Sequence, residues 1–188
     1  LLKQYPDKVI IWNIMGAAKK ALGRIEEASE AFKKVTELKP DDSEAFNNLG
    51  VTLNDQGKLQ EALEVFNKAI SLKPEYAEAY YNLGLTLQKQ GKLEDSIESY
   101  NKALSLKPDY VDAYNNVGNA LRDQGQLKSA IKAYQTALSL EPNYAEVHNN
   151  IGLILHQQGK LEGSIESFKK AILLKPDYAD AYNNMGNA

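Results

Sequence analysis

The chain has 188 residues, with 22 Lys+Arg against 25 Asp+Glu, a net charge of −3 and 43% apolar residues, an ordinary balance for a folded chain. With no cysteine it builds no disulfide framework, thiolate metal site or cysteine nucleophile, and two histidines leave little for a His-based metal site. No apolar run approaches the ~18 residues of a membrane span, the start carries no basic-then-apolar signal segment, and the charge gives no electrostatic footprint for nucleic acid.

The prolines stand at 6, 40, 74, 108, 142 and 176, every interval being 34 residues. Eleven of the twelve glycines keep the same period, in two columns: 16, 50, 84, 118, 152 and 186, then 23, 57, 91, 125 and 159. A fixed period of this size marks a stacked array rather than one or two ordinary domains. In chain order, residues 1–8 align with the tail of a preceding helix. Repeats follow at 9–42, 43–76, 77–110, 111–144 and 145–178, with a partial repeat at 179–188.

Each repeat reads as helix A, turn, helix B, turn. In 43–76, Phe46, Leu49, Gly50 and Leu53 form one helical stripe, and Leu59, Ala62, Leu63, Phe66, Ala69 and Ile70 form the second. Gly57 suits the tight turn between them, and Lys73-Pro74 ends the repeat because proline cannot continue a helix. The pattern predicts A helices over 9–22, 43–56, 77–90, 111–124, 145–158 and 179–188, and B helices over 25–38, 59–72, 93–106, 127–140 and 161–174. Acidic residues open the A helices and lysines close most B helices, which suits the helix dipole. A single helix pair cannot bury both stripes, so stacking must supply the core.

The order aromatic, Leu-Gly, Ala, aromatic, Ala, Pro, carried here by Phe46, Leu49-Gly50, Ala62, Phe66, Ala69 and Pro74, resembles the tetratricopeptide repeat (TPR) along essentially the whole chain. Tyr80, Leu83-Gly84, Tyr100, Ala103 and Pro108 continue it. Blocks such as Ala113-Tyr114-Asn115-Asn116-Val117-Gly118 are most similar to the long arrays of O-GlcNAc transferase and its bacterial look-alikes. The resemblance implies an all-α fold, an α-solenoid of helix–turn–helix units in a right-handed superhelix, with A helices lining a concave groove. It also implies a scaffold for protein–protein interaction, often beside a catalytic domain in a longer chain; fold alone names no ligand.

Two columns beside the A-helix stripe are almost all asparagine: Asn48, Asn82, Asn116, Asn150 and Asn184, preceded by Asn47, Asn115, Asn149 and others, with Tyr81 interrupting the second. One Asn offers donors and an acceptor and can pair both polar groups of a peptide unit. By resemblance to O-GlcNAc transferase, the first column would grip an extended chain by its backbone; Ile14 starts it, so the ladder begins at the second repeat. The alternative stays open that these amides cap, solvate or bond between helices. Further columns, Lys20, Asn54, Gln88, Arg122 and His156, then Ala17, Val51, Leu85, Asn119 and Leu153, vary between repeats as a specificity surface does. Some relatives clamp a C-terminal carboxylate with basic A-helix residues. The matching positions Asn13, Ala17, Val51, Tyr81 and Leu85 carry none, so that mode is not expected.

No enzyme, cofactor or metal is expected. His148 falls in the aromatic column, and His156 lies roughly 12 Å further along the helix, too far to share one metal ion. Gly84…Gly91-Lys92 lacks phosphate-loop spacing. The expected function is a non-catalytic scaffold binding an extended peptide segment in its groove, with no nucleic-acid or membrane partner. The alternative is the substrate-recruiting part of a larger enzyme such as a glycosyltransferase. Absence of cysteine fits a reducing, cytoplasmic setting. The chain reads as a piece of a longer array. Its first repeat is apolar at Ile10, Ile11 and Ile14 where others are polar, which predicts burial under a cap or end-to-end self-association. Gly163, inside a B helix, has no functional account.

Overall fold

A computed structural model describes residues 8–188, and among them the chain is all α-helix. The A helices are α1 (Val9–Ala21), α3 (Ser43–Asp55), α5 (Ala77–Lys89), α7 (Val111–Asp123), α9 (Ala145–Gln157) and α11 (Ala179–Gly186). The B helices are α2 (Ile25–Leu38), α4 (Leu59–Leu72), α6 (Leu93–Leu106), α8 (Leu127–Leu140) and α10 (Leu161–Leu174). The B helices match the predicted spans, and the first five A helices end one residue early. The expected tail of a preceding helix at 1–8 lies, apart from Lys8, outside the described residues.

Both helix ends have local causes. Gly57 sits at φ +74°, and the Gly23, Gly91, Gly125 and Gly159 backbones are alike. The Lys58 amide donates to the Leu53 carbonyl at 2.9 Å and that of Gly57 to Asn54 at 3.1 Å. This paired closure absorbs the last carbonyls of α3 and needs the left-handed glycine. B helices stop before a proline, at Lys-Pro in all but α8, which ends at Glu141-Pro142; Lys73 is extended (φ −138°, ψ 88°) as a residue before proline must be. Asp42 caps α3 by accepting from the Glu44 and Ala45 amides at 3.1 and 3.2 Å. Tyr76, Tyr110, Tyr144 and Tyr178 hold the same place before the later A helices.

That substitution changes what the preceding lysine does. Where tyrosine follows, Lys73, Lys107 and Lys175 lie over the rings of Tyr76, Tyr110 and Tyr178, 4.6–5.0 Å from the centroids. Where Asp42 follows, Lys39 forms an ion pair with it at 3.1 Å instead. Where Glu141 replaces the lysine, the Tyr144 hydroxyl donates to Asp112 at 2.8 Å.

The helices gather into two compact units, Leu1–Leu106 and Lys107–Ala188. In unit one α1 pairs with α2, α3 with α4 and α5 with α6, while α2 packs on α3 and α4 on α5. In unit two α7 pairs with α8 and α9 with α10, joined by α8–α9 and α10–α11 packing. Each pair closes on one small-to-large contact. A β-carbon at Gly50 would lie 2.6 Å from Phe66, at Gly84 2.6 Å from Tyr100, and at Gly152 2.5 Å from Phe168. Glycine lets the A helix seat directly on the ring, which is fully buried in each case; burying such a side chain contributes about 1.5–3 kcal/mol. Ala69, Ala103, Ala137 and Ala171 are fully buried on the same B helices. In the first repeat Ile10 and Ile14 are 66% and 65% exposed.

Candidate functional site

The asparagine columns sit on the A helices and bond to each other across repeats. In unit one the Asn82 amide nitrogen on α5 donates to Oδ1 of Asn47 on α3 at 2.9 Å. In unit two Asn150 on α9 donates to Asn115 on α7 at 3.2 Å, and Asn184 on α11 donates to Asn149 on α9 at 3.0 Å. Asn47, Asn115 and Asn149 are buried, whereas Asn48, Asn82, Asn116, Asn150 and Asn184 are half-buried. The two columns therefore differ in role. The buried one supplies acceptors inside the stack, and the half-buried one donates to it from the surface. Bonding between helices thus operates in this structure, and it uses one amide proton of Asn82 and of Asn184. Asn82 and Asn184 each have a second proton and a carbonyl oxygen beyond that bond, whereas Asn150 spends both its amide protons within the stack.

Unit two adds a polar cluster around Asn150. Its amide also reaches Oδ1 of Asn119 at 3.1 Å, the same oxygen that accepts from the Tyr134 hydroxyl at 2.7 Å. Asn119 in turn donates to Asn116 at 3.4 Å, and Arg122 reaches Asn150 at 3.5 Å. The guanidinium is half-buried and paired with Asp123 at 3.1 Å. Burial raises the Tyr134 hydroxyl above its ordinary pKa, with Arg122 opposing and Asp123 adding, so the group remains a neutral donor. In unit one Tyr100 makes the equivalent bond to Gln88 at 2.8 Å. Tyr81 packs its ring 5.8 Å from that of Tyr100, tilted by 48°.

An open cleft of about 670 Å³ lies on the A-helix side of unit one. Asn13, Ile14, Ala17 and Lys20 of α1 line it together with Asn48 of α3. One member of each predicted groove column of the first repeat thus faces the same recess. Arg122, Asn115, Asn116, Asn149, Asn150 and Asn184 belong to unit two.

Sequence reasoning missed the tyrosine hydroxyl bonds; it left bonding between helices open for the asparagines, without telling which column donates and which accepts. A signal existed for the tyrosines: Tyr100 and Tyr134 stand where Phe66 and Phe168 stand in other repeats, and each gains a polar partner on its own A helix. His148 is buried, its Nε2 lying 3.2 Å from the Pro142 carbonyl. Among the described residues no cluster of three or more His, Asp or Glu side chains could hold a metal ion, and no helix is long and apolar enough to cross a membrane.

Comparison with known proteins gives a consistent picture. A family profile for the TPR repeat matches residues 16–57, 52–91, 118–159 and 152–188, and tetratricopeptide repeat profiles match 77–110 and 99–132. No curated protein matches the chain. Among solved structures, one of MamA is 30% identical, covers 88% of this chain and 97% of its own, and superposes with a TM-score of 0.77. MamA residues 41–end from Desulfovibrio magneticus RS-1 is 25% identical over 92% of this chain and 98% of its own, with a TM-score of 0.81. YrrB, described as a TPR protein with an unusual peptide-binding site, is 21% identical over 97% and 94% with a TM-score of 0.73.

Proposed function

Because the chain belongs to the tetratricopeptide repeat family, we propose that it is a non-catalytic protein-interaction scaffold whose A-helix side holds an extended segment of a partner protein. The observation that carries this reading is the open cleft shared by Asn13, Ile14, Ala17, Lys20 and Asn48. It combines apolar surface and amides with one cation, Lys20, and two carboxylates, Asp42 and Glu44, the mix of apolar surface and a few placed polar groups that suits a peptide. The likeness to YrrB, at 21% identity, carries the fold alone, so its peptide site serves only as a precedent.

In this reading Asn48, Asn82, Asn116, Asn150 and Asn184 meet the partner backbone. Asn82 and Asn184, each held by its bond to the preceding A helix, present a carbonyl oxygen and a remaining proton without much further loss of rotamer freedom, whereas Asn150, whose amide already donates to Asn115 and Asn119, offers the oxygen that Arg122 also reaches. Asn47, Asn115 and Asn149 serve as anchors for those amides rather than as contacts. Tyr81 and Arg122 give the groove its local preferences, an aromatic surface in one repeat and a cation in another.

The test is selection of peptides on the intact chain, followed by affinity measurement with Asn48→Ala, Asn82→Ala and Asn150→Ala. Each substitution is expected to weaken a selected peptide about fivefold, the equivalent of one hydrogen bond. Unchanged affinity in all three removes the asparagines from the site. Self-association through the exposed Ile10 and Ile14 of α1 is a second reading. Sedimentation at rising concentration checks it, and a monomer throughout removes it.

A further inference from the structure

Unit one carries a second recess, between α2 and α4, that shares no lining residue with the α1–α3 cleft. Its volume is about 550 Å³ and α3 forms its floor, where Phe46, Leu49 and Leu53 meet Val65 of α4. Apolar floors between stacked helices are ordinary in such arrays. The rim is not ordinary: five glutamates and two lysines line this recess.

The charges are arranged on both banks. Glu26 and Glu30 stand four apart on α2, and Glu61 and Glu64 stand three apart on α4, so each pair occupies one helix face a single turn apart. All four are exposed, and none has an ion-pair partner within 4.0 Å among the described residues. The neighbouring recess between α4 and α6, about 710 Å³, has Asn67 and Asn101 along its lining, with Asp95 and Glu98 opposed by Lys102. Carboxylates without an ion pair line both recesses, but their excess over lysine is larger in the α2–α4 recess, five against two, than in the α4–α6 recess, two against one. Oε1 of Gln56, which lines the recess, is buried without a hydrogen-bond partner, but so is Oε1 of Gln90 one repeat on, so this orphan belongs to the repeat and the charges carry the case.

We propose that the α2–α4 recess docks a cationic amphipathic helix of a partner protein, its apolar stripe on Phe46, Leu53 and Val65 and its Lys or Arg residues on the two glutamate banks. A helix places cations one turn apart, the same interval as Glu26–Glu30 and Glu61–Glu64, and flanks its stripe with two charged edges. This surface is separate from the peptide cleft, so two partner segments can be held at once.

The experiment uses the full chain and a labelled synthetic helix with a leucine stripe flanked by lysines, read by fluorescence anisotropy. The same peptide with glutamate in place of lysine is the comparison. Glu61→Lys with Glu64→Lys should weaken the lysine peptide about tenfold or more, since attraction becomes repulsion at two sites. Glu162→Lys with Glu166→Lys on α10 reaches the same net charge and should leave affinity within about twofold. Asn82→Ala should also leave it unchanged. Circular dichroism confirms that each variant is folded. Equal weakening by the two charge reversals, equal binding of the glutamate peptide, or no binding of the lysine peptide would each overturn the proposal.

Discussion

The side-chain amide of Asn82 donates to Oδ1 of Asn47 at 2.9 Å, linking two residues 35 positions apart on consecutive A helices. Asn47 is 7% exposed, whereas Asn82 is half-buried. The bond is therefore asymmetric in what its loss costs. Asn82→Ala leaves a buried acceptor unpaired and should cost about 1–3 kcal/mol, while Asn47→Ala leaves a donor that water can reach and should cost about 1 kcal/mol. Urea denaturation of both singles and the double mutant checks this. The double should cost less than the sum, because the second change removes an interaction already lost.

Two alanine substitutions should have opposite signs. At Gly118 a β-carbon would stand 2.3 Å from Cε1 of Tyr134, a fully buried ring with no room to retreat. Gly118→Ala should lower stability by about 1–3 kcal/mol, the cost of overpacking. At Gly163 the added carbon meets Leu155 at 3.4 Å, an ordinary contact, and the backbone is plain helix. Gly163→Ala should therefore raise stability by about 0.5–1 kcal/mol. Thermal midpoints of the two variants, moving apart from the parent, are the measurement.

Tyr134→Phe removes the hydroxyl that donates to Asn119 but keeps the ring, and Phe66 and Phe168 show that phenylalanine fits this column. Asn119 keeps its bond from Asn150, so the loss at neutral pH should be about 0.5–1.5 kcal/mol. At alkaline pH the difference should shrink. Burial raises the hydroxyl pKa in the fold above the unfolded value near 10. The parent's stability from this group is therefore whole below pH 10 and falls as the pH rises toward the folded value, a fall that phenylalanine lacks. Urea midpoints at neutral and alkaline pH give the comparison.

His148 should make the chain acid-sensitive. Burial lowers its pKa below the ordinary 6.5, the Pro142 carbonyl opposing and Lys170 adding slightly. The unfolded chain then takes up the proton first, so stability is whole above about pH 6.5 and falls as the pH drops from there toward the folded value. His148→Phe, which restores the aromatic of Phe46 in the same column, should flatten the dependence of the urea midpoint between pH 7.5 and 5.5. An unchanged slope would show that other groups set it.

The repeat and its helices were legible from residues alone because their causes are local. Gly57 needs no neighbour to favour a positive φ, and Lys73-Pro74 ends a helix by the sterics of one peptide bond. Gly50 and Phe66 were visible as a small and a large member of matched columns, although their 2.6 Å approach was not. The candidate site was legible only as columns. Asn82 and Asn47 look alike in sequence, and nothing local says that one is a buried acceptor and the other a surface donor.

That division was decided by the tertiary structure, because it depends on the separation between stacked helices, which sets which amide reaches which oxygen. The same holds for Lys39, which pairs with Asp42, and Lys73, which lies over Tyr76: one lysine column has two partners according to what packs three residues on. It holds too for Glu26 and Glu61, which belong to different repeats and line one recess only because α2 and α4 both pack on α3. Backbone punctuation is a short-range matter and was fixed by residue type and spacing. Which polar groups meet, and which charges are left to face a partner, is a long-range matter that only the packed helices settle.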